Sequence, residues 1–145
     1  MVALEANPLF RELGPAESQT LQRIAREQQF PAGAEIFKEG DEGNGVFIVK
    51  EGVVEISALM GPNVRQTFSQ VGPGQIFGEM AVLENKPRSA HAAARQQTTV
   101  YFIPRTEMLS LVEKSPALAM NLLREISNRL REFNQQYLRE VLQAE

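Results

Sequence analysis

The stretch Phe77-Gly-Glu-Met-Ala-Val-Leu-Glu-Asn-Lys-Pro-Arg-Ser-Ala90 gathers the residue types that hold a phosphate and a sugar together. Gly78 opens a short helical turn expected over 79–83, and Gly72-Pro-Gly74 precedes it. A helix start presents unpaired N–H groups and partial positive charge, which suits an anion. A glycine at that point lets a ligand approach the backbone with no Cβ in the way. Arg88 and Ser89 add a guanidinium and a hydroxyl, both donors to phosphate oxygens. Glu79 is the odd member, since a carboxylate repels an anion. Alone it would be a first-turn acid favoured by the helix dipole. Beside Arg88 and Ser89 it makes sense as an acceptor for a hydroxyl of the same ligand, such as a ribose 2′-OH. Together these groups describe a site for a sugar phosphate.

The elements that must position this segment are mostly strands. Between Phe30 and Pro104, short apolar or alternating runs recur: 34–38, 46–49, 53–57, 65–69, 89–94 and 98–103. Turns rich in glycine separate them, at Gly40-Asp-Glu-Gly43, Lys50-Glu-Gly52, Gly61-Pro-Asn63 and Gly72-Pro-Gly74. Evenly spaced short strands without long helices between them argue for an antiparallel sandwich or a jelly-roll barrel. Glycines 40, 43 and 52 are expected to serve hairpin geometry rather than to touch ligand.

Helical patterns flank the barrel. Residues 7–29 read as helix, turn, helix: Leu9, Phe10 and Leu13, a break at Gly14-Pro15, then Leu21, Ile24 and Ala25. After Pro104, Thr106 is the expected cap of a helix carrying Met108, Leu109, Leu111 and Val112. Ser115 then suits an N-cap and Pro116 a first helical position for a run reaching Glu145 without glycine or proline. About 30 residues span about 45 Å, more than one face of so small a barrel covers. Leu122, Ile126, Leu130, Phe133, Tyr137 and Val141 recur at intervals of three and four, widened by Leu123, Leu138 and Leu142. That stripe is expected to be a dimer seam first.

With 145 residues, 43% hydrophobic and 23% charged, the chain is sized for one globular domain rather than a disordered or low-complexity protein. No cysteine means no disulfide, thiolate nucleophile or cysteine-based zinc site. The single histidine, His91, makes a metal role improbable and reads as a strand residue. A net charge of -3 gives no overall footprint for nucleic acid. No apolar run reaches the roughly 18 residues of a membrane span, and the first residues lack a signal-peptide pattern. A cytoplasmic location with no membrane partner is the expectation.

The segment 77–90 resembles the phosphate-binding cassette of cyclic nucleotide-binding domains. Gly40-Asp-Glu-Gly43, Val46-Phe-Ile-Val49 and Gly52 resemble the glycine-framed hairpin of the same family. Taken over the whole chain, the likeness is to the sensor half of bacterial catabolite activator-type proteins. It implies a mainly β fold, with an eight-stranded double-stranded β-helix (jelly-roll) barrel over 30–104, an N-terminal helical pair over 7–29 and C-terminal helices over 105–145, all one domain. It also implies roles. Gly78 and the amides of Glu79 and Met80 line a cyclic phosphate, Glu79 accepts from the ribose 2′-OH, Arg88 neutralises the phosphate and Ser89 donates to it. Phe77, Ala81 and Ala90 shape the wall. Midway along the last helix, Arg129, Phe133 and Asn134 lie near the purine, Phe133 as a lid and Asn134 on the base edge. His91, where relatives carry a small residue, is a departure.

The resemblance implies a regulatory sensor and not an enzyme, with no cofactor, no catalytic residue and no metal. Its ligand would be cyclic AMP, with cyclic GMP the alternative, since Ser89 can serve either base. A homodimer through the C-terminal helix is expected, with an unnamed downstream protein. Catabolite activators continue into a winged helix-turn-helix; for a chain complete at Glu145, direct DNA binding is not expected. A metal-dependent catalytic jelly roll is rejected, because that chemistry needs several histidines. The competing reading is a degenerate or cyclic-dinucleotide-binding barrel acting as a protein–protein adaptor.

Overall fold

The computed structural model describes residues 4, 7, 9–11 and 13–144, the side chains of Met60 and Ala144 excepted. Its elements run α1 (Pro15–Ile24), β1 (Arg26–Phe30), β2 (Glu35–Phe37), β3 (Gly45–Glu51), β4 (Val54–Gly61), β5 (Val64–Val71) and β6 (Ile76–Phe77). They continue with α2 (Glu79–Glu84), β7 (His91–Ala94), β8 (Thr98–Pro104), α3 (Arg105–Lys114) and α4 (Pro116–Ala144). Among the described residues the eight strands make two four-stranded sheets, ordered β1-β8-β3-β6 and β2-β7-β4-β5. The fold is mainly β with a long C-terminal helix.

The first sheet explains the continuous apolar runs. Along β3, Val46 and Ile48 join a core with Leu21 of α1, Met108 and Leu111 of α3, and Leu118 and Leu122 of α4. Phe47 and Val49, on the opposite face, join Val54, Val71 and Ala92 of the second sheet. Strand β8 splits the same way, Tyr101 and Ile103 toward the helices, Val100 and Phe102 toward the sheet. A strand covered on both faces has no polar side to show. The second sheet keeps an open outer face, and its edge strand β5 is exposed along most of its length.

Several boundaries differ from the sequence expectation. Of the first expected N-terminal helix, Leu9 and Phe10 are buried turn residues, and part of that segment lies outside the described residues. The second helix starts at Pro15 as expected but ends at Ile24. Arg26–Phe30 is a strand paired with β8, from Arg26 opposite Phe102 to Phe30 opposite Thr98. Its residues Arg-Glu-Gln-Gln favour helix by propensity, so sheet pairing overrides it. Strand β6 is only two residues long and left no periodic trace. The expected Thr106 cap is not used: α3 begins at Arg105, and the Arg105 N–H donates to the Asn44 carbonyl at 3.0 Å. At α4 the local signal is used, because Ser115 Oγ accepts from the Leu118 N–H at 3.2 Å and Pro116 opens the helix.

Candidate functional site

The glycine turn at 40–43 and the segment 77–90, far apart in sequence, are one unit in space. The Arg88 N–H donates to the Asp41 carbonyl at 2.7 Å, and the Gly40 N–H donates to the Arg88 carbonyl at 2.8 Å. Gly40 has φ +92, a left-handed conformation that glycine adopts without a Cβ penalty. Gly43 serves close approach: a Cβ there would sit 2.7 Å from the Cβ of Ala81 on α2. So the first glycine turn braces the segment 77–90 through backbone bonds and close packing.

Arg88 is buried, with only 3% of its surface exposed. Its Nη1 donates to the Gly78 carbonyl at 2.5 Å, and its Nη2 donates to the Gly45 carbonyl at 2.6 Å and to Asn44 Oδ1 at 3.2 Å. The guanidinium lies over Phe37, 4.3 Å from the ring centroid, a favourable cation–π placement. Burial lowers its pKa from the ordinary arginine value, opposed by the negative charges of Asp41 and Glu79. An arginine stays cationic under such a shift. Its Nε is buried with no hydrogen-bond partner, and a buried donor without an acceptor costs free energy. That orphaned N–H, with a full charge beside it, suits an anion. Gly78 is constrained twice, by φ +78 and because a Cβ would meet Arg88 Nη1 at 2.7 Å.

Glu79, also 3% exposed, opens α2 after Gly78. Its Oε1 accepts from Arg129 Nη1 of α4 at 2.7 Å. Arg129 Nη2 also donates to the Ile76 carbonyl, and Glu125 stands 3.5 Å away along the helix. The arginine side chain is about one-third exposed but the carboxylate side chain only 4%, so breaking the pair would strand a buried charge, which costs more than a surface pair contributes. The pair also ties α4 to the carboxylate of the cassette.

A cleft of about 580 Å³ opens between α2, the second sheet and α4, within the usual range for small-molecule sites. Phe77, Gly78, Glu79, Met80 and Ala81 line it from one stretch, and Arg88, Ser89 and Ala90 from another. Arg129 and Phe133 close it from α4. Ser89 is exposed on this wall, whereas Phe77 is buried and stacked on Phe47 with centroids 5.1 Å apart. Asn134 does not line the cleft; Gln136 does. At 3.6 residues per turn, Asn134 falls in line with Tyr137 and Val141 on the exposed stripe, whereas Leu130, one turn earlier, also reaches the cleft. His91 lies outside the lining, with Nδ1 3.8 Å from Glu35 Oε2. Sequence reasoning missed Phe37, Asn44 and Phe68. Phe68 carried a signal, as an apolar residue of the 65–69 run, but nothing local marked Asn44.

Residues 27–115 match the family model of the cyclic nucleotide-binding domain, and the chain belongs to that family. It is similar to the cyclic AMP receptor protein of Thermus thermophilus, 33% identical over 129 residues, covering 89% of this chain and 60% of that protein. The cAMP-dependent protein kinase regulatory subunit of Debaryomyces hansenii is 37% identical over 97 residues, 67% of this chain and 20% of that protein. The crystal structure of the Thermus thermophilus catabolite activator protein matches with a TM-score of 0.79 and 32% identity, covering 94% of this chain and 63% of that one. The likeness to the catabolite activator type therefore holds in sequence and in fold. The chain spans well under the full length of these relatives. Among its described residues no helix is long and apolar enough to cross a membrane, and no three metal-ligating side chains converge.

Proposed function

We propose that this domain is a regulatory sensor that binds cyclic AMP in the cleft under α4 and signals through that helix, without catalysing a reaction. The observation that carries the reading is the orphaned Nε of buried Arg88 in a cleft shared with Glu79 and Ser89. A cyclic phosphate has one negative charge to meet the guanidinium, and its ribose keeps the 2′-OH that Glu79 would accept from. The names of the relatives, a cyclic AMP receptor and a cAMP-dependent kinase regulator, support adenine as the base. The two sheets are read as a jelly-roll barrel, with the N-terminal helices packed beside it.

Coupling to α4 follows from shared partners. A 2′-OH donating to Glu79 joins the carboxylate that already holds Arg129, and a phosphate drawn to Arg88 competes with the Gly78 carbonyl. Ligand occupancy and helix position then bias one another through the same side chains. Phe133 faces the base as its lid. The exposed stripe of Leu123, Leu130, Tyr137, Leu138 and Leu142 is read as a homodimer seam along α4, which sedimentation at micromolar concentration tests: a dimer supports it and a monomer sinks it. Asn134 sits in that stripe, so its base contact would be made across the seam.

A thermal-shift panel of cyclic AMP, cyclic GMP, cyclic di-GMP and linear AMP tests the ligand. Cyclic AMP should raise the melting temperature progressively with concentration, as a ligand of the native state does. A response to cyclic di-GMP alone, or to none of the four, would overturn the assignment.

A further inference from the structure

A second cavity, of about 430 Å³, opens between the N-terminal segment, the turn 72–75 and α4. Among the described residues it shares Gln75 alone with the cleft of Arg88. Arg129 separates the two: it lines the first, while its partners Ile76 and Glu125 line the second. The carboxamide oxygens around the second cavity are taken up inside the protein. Asn7 Oδ1 accepts from the Leu9 N–H at 2.8 Å, Gln75 Oε1 from the Gly72 N–H at 2.7 Å and Asn121 Oδ1 from Arg124 Nη1 at 3.1 Å. Asn7 also donates to the Gly74 carbonyl, which fastens the N-terminal segment to the turn. What faces a guest is therefore rich in N–H: the Gln75 amide, the Asn128 carboxamide and the remaining guanidinium N–H groups of Arg124. Among the described residues Arg124 has a carboxamide and no carboxylate as its partner, and the adjacent Glu125 stands 3.5 Å from Arg129 instead. Asn121, Arg124 and Asn128 share one face of α4 at steps of three and four, about half a turn from Leu123, Leu130 and Tyr137. A dimer along that stripe leaves the cavity open.

We propose that this cavity is a second binding site, for a small organic monocarboxylate held by Arg124. The guanidinium fork matches a carboxylate with two parallel N–H···O bonds, and the Gln75 and Asn128 carboxamides add donors beside it. A single cation with an acid, Glu125, next to it suits one negative charge and disfavours the second charge of a phosphate monoester. Leu9, Pro73 and Ile76 supply an apolar wall, so an acid with an apolar body gains there what acetate does not. The volume falls within the range of small-molecule sites. This site needs neither Arg88 nor Glu79 and stands independently of the cyclic nucleotide reading.

Amide chemical-shift titration of the isotope-labelled chain with benzoate, acetate and inorganic phosphate in the millimolar range tests the site, with ionic strength held constant by sodium chloride. Benzoate should give saturable shifts centred on Gln75, Arg124 and Asn128. Acetate should bind several-fold more weakly for want of an apolar body, and phosphate should not saturate. Arg124→Gln should weaken benzoate about tenfold or more, the loss of a charge-assisted contact. Arg124→Lys keeps the charge without the fork and should fall between. Arg124 is exposed, so both variants should keep the wild-type spectrum outside the cavity. No saturable shift with benzoate, saturation unchanged in Arg124→Gln, or phosphate bound as tightly as benzoate would each overturn the site. Shifts centred on Gly78 and Ser89 would seat benzoate in the other cleft and overturn it as well. Failure of cyclic AMP to bind would sink the nucleotide reading and leave this site standing, so the two failures are told apart.

Discussion

The two walls of the cleft are held by different means. The cassette wall is tied down by backbone: Arg88 is laced to Gly40 and Asp41 through main-chain bonds, and Gly43 packs on Ala81 at a distance only glycine allows. The α4 wall is held through side chains, Arg129 on Glu79 and on the Ile76 carbonyl and Phe133 on Phe68, at the point where the helix leaves the barrel and becomes exposed. A wall fixed by backbone keeps its geometry as ligands come and go. One fixed by side-chain contacts can exchange them for contacts to a ligand.

Substitutions can break this contrast, and the largest effect belongs to the rigid wall. Arg88→Ala should weaken cyclic AMP binding by one to two decades, the span of a charge-assisted contact worth about 1.5–3 kcal/mol. It should also lower thermal stability, because Gly78, Gly45 and Asn44 lose a buried partner. Calorimetry and a melting curve read both, and unchanged affinity would remove Arg88 from the site. Gly78→Ala comes next: the left-handed backbone costs about 1–2 kcal/mol, and the added Cβ meets Arg88 Nη1. A urea midpoint equal to wild type would show that the close approach does not matter.

Where the two walls meet, the effects on binding are smaller and more selective. Glu79→Gln should lower affinity about tenfold for cyclic AMP and hardly at all for its 2′-deoxy analogue, since that analogue offers no 2′-OH to lose. Equal losses for both nucleotides would move the ribose contact elsewhere. Arg129→Met should lower the unfolding free energy by about 3 kcal/mol, because it leaves the buried Glu79 carboxylate without its cation. It should also free α4. Hydrogen exchange of residues 125–135 should quicken without ligand, and protection equal to wild type would mean that another contact holds the helix.

The same contrast explains what was legible in the sequence. Residues of the cassette are neighbours in the chain, and their grouping reads locally: Gly78 for close approach, Glu79 and Arg88 as a carboxylate and a guanidinium brought to one cleft. The strands 46–49 and 98–103 were equally plain, because burial on both faces leaves an unbroken apolar run. Arg26–Phe30 was not, since its strand pairing is set by β8 and its own residues prefer helix. Thr106 failed as a cap because the helix starts one residue earlier, at Arg105, whose N–H is held by the Asn44 carbonyl. On α4 the stripe was visible but its rotation was not. Periodicity marks which residues share a face, and only packing on β5 and β6 tells which face meets the cleft. That is why Phe133 lines it and Asn134 does not.

The central claim, that this cleft takes a nucleoside cyclic monophosphate at Arg88, is tested most directly by a crystal structure grown with cyclic AMP. The account predicts phosphate oxygens within hydrogen-bond distance of Arg88 Nε and Ser89 Oγ, with the ribose 2′-OH on Glu79. Nucleotide density in any other cleft, or none at saturating concentration with Arg88 still on the Gly78 carbonyl, would contradict it.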